Sequence, residues 1–184
     1  MTRSPARTAT LVAVPAALLA GGLAFWLLGG VPTRTPAPGP QASGPVAVDA
    51  PHLDEGTATV CRALVAKLPD ALGDRHRRPV TGGAGQNAAF GDPPIVLSCG
   101  VTAPSVPQDA DLYELSGVCW FPEQRADGQV WTTVDRQVPV RVTVPKAYDP
   151  PGQWVIDFSP AVAGAVPPGD QACFTRSSAP TSPR

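Results

Sequence analysis

The feature that most constrains this chain is an uninterrupted apolar run over residues 9–31. It contains no charged side chain, and about 20 such residues in a helix cross a hydrocarbon core of roughly 30 Å. Arg3 and Arg7 precede the run, and basic residues favour the cytoplasmic side of a membrane. We therefore predict a transmembrane helix over residues 9–31 that anchors the chain in the lipid bilayer. Residues 1–8 would lie in the cytoplasm and the remainder outside the cell membrane.

A cleaved secretory signal is the alternative interpretation of this N-terminus. The apolar region of such a signal spans about 7–15 residues, which is shorter than the run found here. Residues 32–46 are rich in proline, which suits cleavage poorly and predicts an extended linker. We expect one folded domain over residues 47–176 and a disordered tail over residues 177–184. If the signal were cleaved, that domain would be secreted.

The charge of the chain argues against nucleic acid as a partner. Residues 1–46 hold arginines and no acid, which leaves 11 basic against 15 acidic residues in the rest of the chain. A domain with this mildly acidic balance lacks the basic face that contact with a phosphate backbone requires.

Four cysteines follow the apolar run, and their spacing bears on their chemistry. Cysteines outside the membrane experience an oxidising environment, where an even number of them indicates disulfides. A metal site would need closely spaced pairs, whereas Cys61, Cys99, Cys119 and Cys173 are far apart. We predict two disulfides, for which three pairings are possible, and neither a metal site nor a cofactor.

The stretch before Pro69 predicts an amphipathic helix. Asp54 or Thr57 would cap its N-terminus, and it would run to about Leu68. Apolar residues recur at positions i, i+3, i+4 and i+7 from Cys61, so this cysteine lies on the face that packs into the core.

A strand over residues 94–101 is predicted by strict alternation of apolar residues, and Cys99 falls on its buried face. A helix packed on a sheet would bring Cys99 within reach of Cys61. We therefore pair these two cysteines, which leaves Cys119 with Cys173.

Weaker patterns fill the rest of the domain. Further strands are predicted over residues 113–121, 129–134, 138–145 and 154–158, with a short one over 46–48. The prolines at 139 and 145 favour an edge position for the strand over 138–145. Asp127-Gly128 is a hairpin turn signal, and Ser159 would cap a short helix that ends near Val166. The basic cluster over residues 74–80 is typical of a solvated loop or an exposed edge strand.

Short connections and alternating strands predict an α+β domain, with an antiparallel sheet and helices on one of its faces. An all-β sandwich is the alternative.

Several stretches of the domain together form a recognisable pattern: residues 61–64, 68–69, 77–80, 90–101, 117–120, 132–134, 142–145 and Tyr148. They are similar to a family of actinobacterial envelope proteins known only as a domain of unknown function. The resemblance covers residues 50–166, and its most specific part is the glycine-aspartate-proline stretch that leads into the strand of Cys99. It implies a single N-terminal membrane span and an extracytoplasmic domain, and it implies no activity, cofactor or partner.

Catalytic motifs are not found in this sequence. It contains no G-x-S-x-G elbow and no H-E-x-x-H pair, so no catalytic residue is assigned. Gly91, Asp92 and Pro93 form a candidate functional turn, although an aspartate there also caps a turn through its own side chain. The aromatic faces of Trp120, Trp131 and Trp154 are candidates for a ligand-binding surface.

These features favour a non-enzymatic binding or interaction module of the cell envelope, with a cell-wall component or an envelope protein as partner. Two alternatives stay open. One is a hydrolase or transferase directed at the cell wall that uses carboxylates such as Asp92. The other is a structural subunit of a membrane complex that assembles through the helix over residues 9–31.

Overall fold

A computed structural model describes residues 42–173, which lie in one compact unit. The predicted transmembrane helix over residues 9–31, most of the predicted linker and the predicted tail over 177–184 lie outside the described residues. Within the described part of the chain, no helix is both long enough and apolar enough to cross a membrane.

The domain is built on a single eight-stranded antiparallel sheet. Its strand order is β1-β2-β3-β4-β8-β7-β6-β5, so two four-stranded meanders meet where β4 pairs with β8. The strands are β1 (Ala71–Leu72), β2 (Arg75–Arg78), β3 (Asn87–Phe90), β4 (Ile95–Cys99), β5 (Tyr113–Leu115), β6 (Val118–Gln124), β7 (Gly128–Thr133) and β8 (Val140–Pro145). The predicted mixed domain with an antiparallel sheet is confirmed, and the described strands form one sheet instead of the two of a sandwich.

Three helices complete the described part: α1 (Glu55–Lys67), α2 (Gly152–Ile156) and α3 (Ser159–Ala165). The predicted first helix is confirmed, since the Asp54 carboxylate caps α1 by accepting a hydrogen bond from the Thr57 amide at 3.0 Å. Residues of all three helices join one buried cluster with alternate residues of the central strands. The sheet face that takes part in this cluster is the helix face, and we call the opposite face the open face.

Both predicted disulfides are present. Cys61 of α1 is bonded to Cys99 at the end of β4, and both residues are buried in the helix-face core. Cys119 of β6 is bonded to Cys173 in the last described stretch. The alternation predicted for β4 is also confirmed, because Ile95, Leu97 and Cys99 are buried.

The stretch over residues 113–121 is a hairpin and not the single strand that was predicted. Ser116 and Gly117 both have positive φ angles, as a two-residue type I′ turn requires, and they separate β5 from β6. Pro122 does not end β6, which continues to Gln124. A proline is tolerated there because β5 pairs only with residues 118–120 and leaves the outer side of Pro122 without a strand.

The strand predicted over residues 154–158 is wrong, because its first three residues belong to α2. The amides of Trp154 and Val155 donate to the carbonyl of Pro151, whose fixed φ suits a helical start. A short apolar run does not by itself distinguish a strand from a helix. The cap predicted for α3 is displaced by one residue, since Phe158 occupies the N-cap position and Ser159 begins the helix.

The edge position predicted for the strand over residues 138–145 is also wrong. Its ordered part is β8, which lies between β4 and β7 at the centre of the sheet. Pro139 precedes the strand and Pro145 is its last residue, so neither interrupts the hydrogen bonds of its middle.

Three smaller differences concern the N-terminal half of the domain. The basic cluster contains β2, which lies between β1 and β3 and is neither a loop nor an edge. Residues 46–48 contribute an isolated bridge from Val46 to Val80 and no strand. The strands β1 and β3 were not predicted, because each is short and neither alternates clearly.

Candidate functional site

The candidate turn Gly91-Asp92-Pro93 connects β3 to β4 and is held by side chains from two other segments. The Tyr148 hydroxyl donates to the Pro93 carbonyl at 2.7 Å, and Nη1 of Arg78 donates to the Gly91 carbonyl at 2.9 Å. Gly91 has a φ of 72°, and a Cβ there would lie 2.8 Å from the Tyr148 hydroxyl. Glycine is therefore required both by the backbone conformation and by the close approach of the tyrosine.

The polar groups around this turn are largely committed to holding the chain in place. Nε and Nη2 of Arg78 donate to the Gly44 carbonyl, so one guanidinium joins the N-terminal segment to the turn. Nη1 of Arg78 lies 3.7 Å from the carboxylate of Asp92, whose side chain is 51% exposed. Burial raises the pKa of the Tyr148 phenol, and the nearby guanidinium of Arg75 opposes this rise. These bonds give the turn a structural role, and we call the turn together with Arg78 and Tyr148 the clasp.

The three candidate tryptophans do not form one surface. Trp120 is fully buried, and its indole Nε1 donates to the Ser159 hydroxyl at 3.1 Å, so its ring presents no face to a ligand. Trp131 is 5% exposed and packs against Tyr113 with ring centroids 5.4 Å apart. Trp154 is partly buried, and its ring packs edge-on against the ring of Tyr148 in the clasp.

A groove of about 440 Å³ lies on the open face of the sheet, and the sequence did not single it out. Its floor consists of half-exposed residues of β4 and β8, which are adjacent at the centre of the sheet. The register pairs Ser98 with Arg141 and Val96 with Thr143, so these four side chains point to the same face. The floor is therefore polar along one row and mixed along the next.

The groove has one wall that is well fixed to the sheet. Residues 47–51 form it, and the Asn87 side-chain amide donates to the Asp49 carbonyl at 3.0 Å and to the Gly82 carbonyl at 3.1 Å. The side chain of Gln86 donates to the Pro51 carbonyl at 3.2 Å. Val101 and Thr102 line the groove as well. This wall belongs to the same compact unit as the floor.

Two polar groups in the groove have unused hydrogen-bonding capacity. Arg141 makes one long hydrogen bond, from Nε to the Thr132 hydroxyl at 3.5 Å, and its Nη1 and Nη2 have no partner among residues 42–173. The Oδ1 atom of Asn87 is buried and also lacks a hydrogen-bond partner in the described part of the chain. Buried polar atoms are normally hydrogen-bonded, so the unpaired acceptor of Asn87 makes this groove a candidate ligand site.

Metal chemistry receives no support from the described residues, in which no group of three or more His, Cys, Asp or Glu side chains could hold an ion. The groove offers instead a cation, hydroxyls and an amide oxygen. Such groups can form hydrogen bonds and ion pairs with a ligand. The sequence contains one indication of the role of Arg141. It alternates with buried valines in β8, which places it on the solvent-facing side of the strand.

Comparison with known proteins identifies a family of unknown function. The model of a family described as "Protein of unknown function (DUF3515)" matches residues 12–170, which is most of the chain. No curated protein and no solved structure matches it. The two disulfides indicate an oxidising environment for the domain.

Proposed function

The chain belongs to the DUF3515 family of proteins of unknown function, and we propose that it is a non-enzymatic binding module of the cell envelope. In this proposal residues 9–31 anchor it in the membrane and the disulfide-bonded domain faces the extracytoplasmic side. The two disulfides and the apolar N-terminal run support this placement.

The groove on the open face is the observation that carries the binding function. An antiparallel sheet commonly packs one face on its core and leaves the other to solvent. Here the solvent-facing side is concave, and its floor and one wall are tied together by the side-chain bonds of Asn87 and Gln86. Binding sites are typically concave, preformed and furnished with a few polar groups. The ligand in this proposal is a component of the cell envelope that enters the groove.

The alternative as a carboxylate-dependent hydrolase or transferase would place its acid at Asp92. This carboxylate lies on the exposed side of the clasp, next to a guanidinium that also bonds the turn itself. The groove offers a ligand more uncommitted groups than the clasp does, and we therefore favour binding over catalysis.

Site-specific photocross-linking in cells tests the proposal. A photoreactive amino acid replaces Thr143 on the groove floor in the full-length chain, and in a matched control it replaces Ala66 on the exposed side of α1. We expect a cross-linked envelope component from position 143 and none from position 66. Equal products from both positions, or no product from 143, would contradict the proposal.

A further variant separates binding from catalysis. Asp92→Asn should leave the cross-linking from position 143 unchanged, because the turn and the groove use different side chains. If this variant instead accumulated the cross-linked component in larger amounts, as expected for an enzyme that no longer turns over its substrate, the catalytic alternative would gain support.

A further inference from the structure

We propose that the groove recognises a carboxylate group of its ligand, which binds to the guanidinium of Arg141. This inference rests on the proposed binding function and specifies its chemistry. Arg141 is the basic side chain among the residues that line the groove, and it lies on β8 next to Ser98 of β4. Its two terminal nitrogens have no partner within residues 42–173, although the side chain is half-buried.

Four other arginines of the domain are used differently. Each of them forms an ion pair with an acid: Arg75 with Asp74, Arg78 with Asp92, Arg125 with Glu123, and Arg136 with Asp135. Arg141 lies on the open face and has no acid partner within residues 42–173, so its charge is available to a ligand.

The register of the sheet places complementary groups in one row across four strands. Asn87, Ser98, Arg141 and Thr132 are successive cross-strand neighbours on the open face. Neighbouring strands lie about 4.8 Å apart, so the amide of Asn87 and the guanidinium of Arg141 are based roughly 10 Å from each other. A ligand whose carboxylate binds Arg141 would therefore extend along this row toward Asn87, whose Oδ1 is an unpaired acceptor in the described part of the chain.

A singly charged carboxylate fits this row better than a phosphate does. A guanidinium matches the paired oxygens of either anion. The groove contains one arginine, and Asp49 in its wall adds a negative charge. Each further negative charge on a ligand is therefore unfavourable, and a singly charged carboxylate leaves less uncompensated charge in the groove than a phosphate dianion does.

The test uses saturation-transfer difference NMR on the full-length protein in detergent micelles. The carboxylate probes are N-acetyl-dialanine, for a peptide C-terminus, and glucuronic acid, for a sugar acid. The C-terminal amide of the same dipeptide and methyl phosphate serve as controls of similar size. We expect one of the two carboxylates to bind, and the amide and the phosphate to bind at least tenfold more weakly. The carboxylate that binds identifies the source of the group.

Variants connect this binding to the groove. Arg141→Gln should weaken carboxylate binding at least tenfold, and Arg141→Lys should retain part of it, because an ammonium keeps the charge but loses the paired N–H geometry. Arg62→Gln is the matched control, since Arg62 also has no acid partner within residues 42–173 but lies on α1. Thr143→Glu leaves Arg141 in place and adds a repelling acid beside it, so it provides a second variant with the same expected loss.

The outcomes distinguish this inference from the function on which it rests. Equal binding of the acid and the amide, preference for methyl phosphate, no binding of either carboxylate, or unchanged binding by Arg141→Gln would each overturn the carboxylate assignment. If the cross-link from position 143 persisted in any of these cases, the binding module would stand with a different ligand chemistry. If the cross-link were absent too, both proposals would fail.

Discussion

Removal of the Cys61–Cys99 disulfide should destabilise the domain more than removal of the other disulfide. The two bridges join residues 38 and 54 positions apart. The entropy that a bridge removes from the unfolded chain rises only with the logarithm of this separation, and it corresponds to about 4 kcal/mol for either bridge. Loop length alone therefore predicts nearly equal losses.

Packing makes the difference between them. Cys61 and Cys99 are 0% and 1% exposed and belong to the core cluster, so their replacement by alanine leaves a void beneath α1. That void adds roughly 1 kcal/mol. In the other bridge Cys119 is also 0% exposed, but it lies outside the core cluster, and Cys173 is only half-buried at the end of the described chain. We expect a loss of about 5 kcal/mol for C61A/C99A and at most about 4 kcal/mol for C119A/C173A.

Urea unfolding of the full-length chain, followed by circular dichroism under non-reducing conditions, measures both losses. The C119A/C173A variant serves as the matched control, because it removes a bridge of similar loop length in which one cysteine, Cys173, is only half-buried. A loss below about 2 kcal/mol for C61A/C99A, or a larger loss for the control, would refute the reasoning from burial and loop length.

Three further perturbations follow from single contacts. Tyr148→Phe should lower the free energy of unfolding by about 1 kcal/mol at neutral pH. Because burial raises the pKa of this phenol in the folded state, the stability of the wild-type domain should fall as the pH rises from about 10. Urea titrations from pH 8 to 11 should show this fall for the wild type and not for the variant. Hydrogen bonds from Thr57 lower the pKa of Asp54, so this cap stabilises the domain above pH 3.8 and loses its effect as the pH falls further. Asp54→Ala should therefore lower the melting temperature at pH 6 and make little difference at pH 2, as measured by thermal unfolding. Gly128→Ala should lower the melting temperature, as a Cβ there would collide with the Val144 carbonyl, and unchanged melting would contradict that close approach.

The sequence predicted elements whose pattern is long and regular. The helix that carries Cys61 and the strand that carries Cys99 each repeat their apolar residues over several positions, and their geometry was sufficient to pair the cysteines. Short patterns were ambiguous. The apolar run over residues 154–158 fits a strand and a helix equally well, and the preceding prolines decide for the helix. In residues 113–121 apolar residues flank the two-residue turn at Ser116 and Gly117, so the pattern reads as one continuous strand.

The groove could not be predicted from spacing, because its parts are distant in the chain. Its wall comes from residues 47–51, and its floor comes from β4 and β8, which are separated by the whole second meander. Only the pairing of β4 with β8 brings Ser98 and Arg141 side by side. The sequence had assigned β8 to an edge because of its prolines, and an edge strand would have placed Arg141 at the border of the sheet.

The position of β4 links the stability of the domain to the shape of the groove. Successive residues of this strand point to opposite faces, so Leu97 and Cys99 pack against the helices while Val96 and Ser98 form the groove floor. The disulfide to α1 therefore fixes, from the helix face, the strand that a ligand contacts from the open face. A floor that is already rigid loses little conformational entropy when it binds a ligand. For this reason the bridge between Cys61 and Cys99 should preserve ligand affinity as well as the fold.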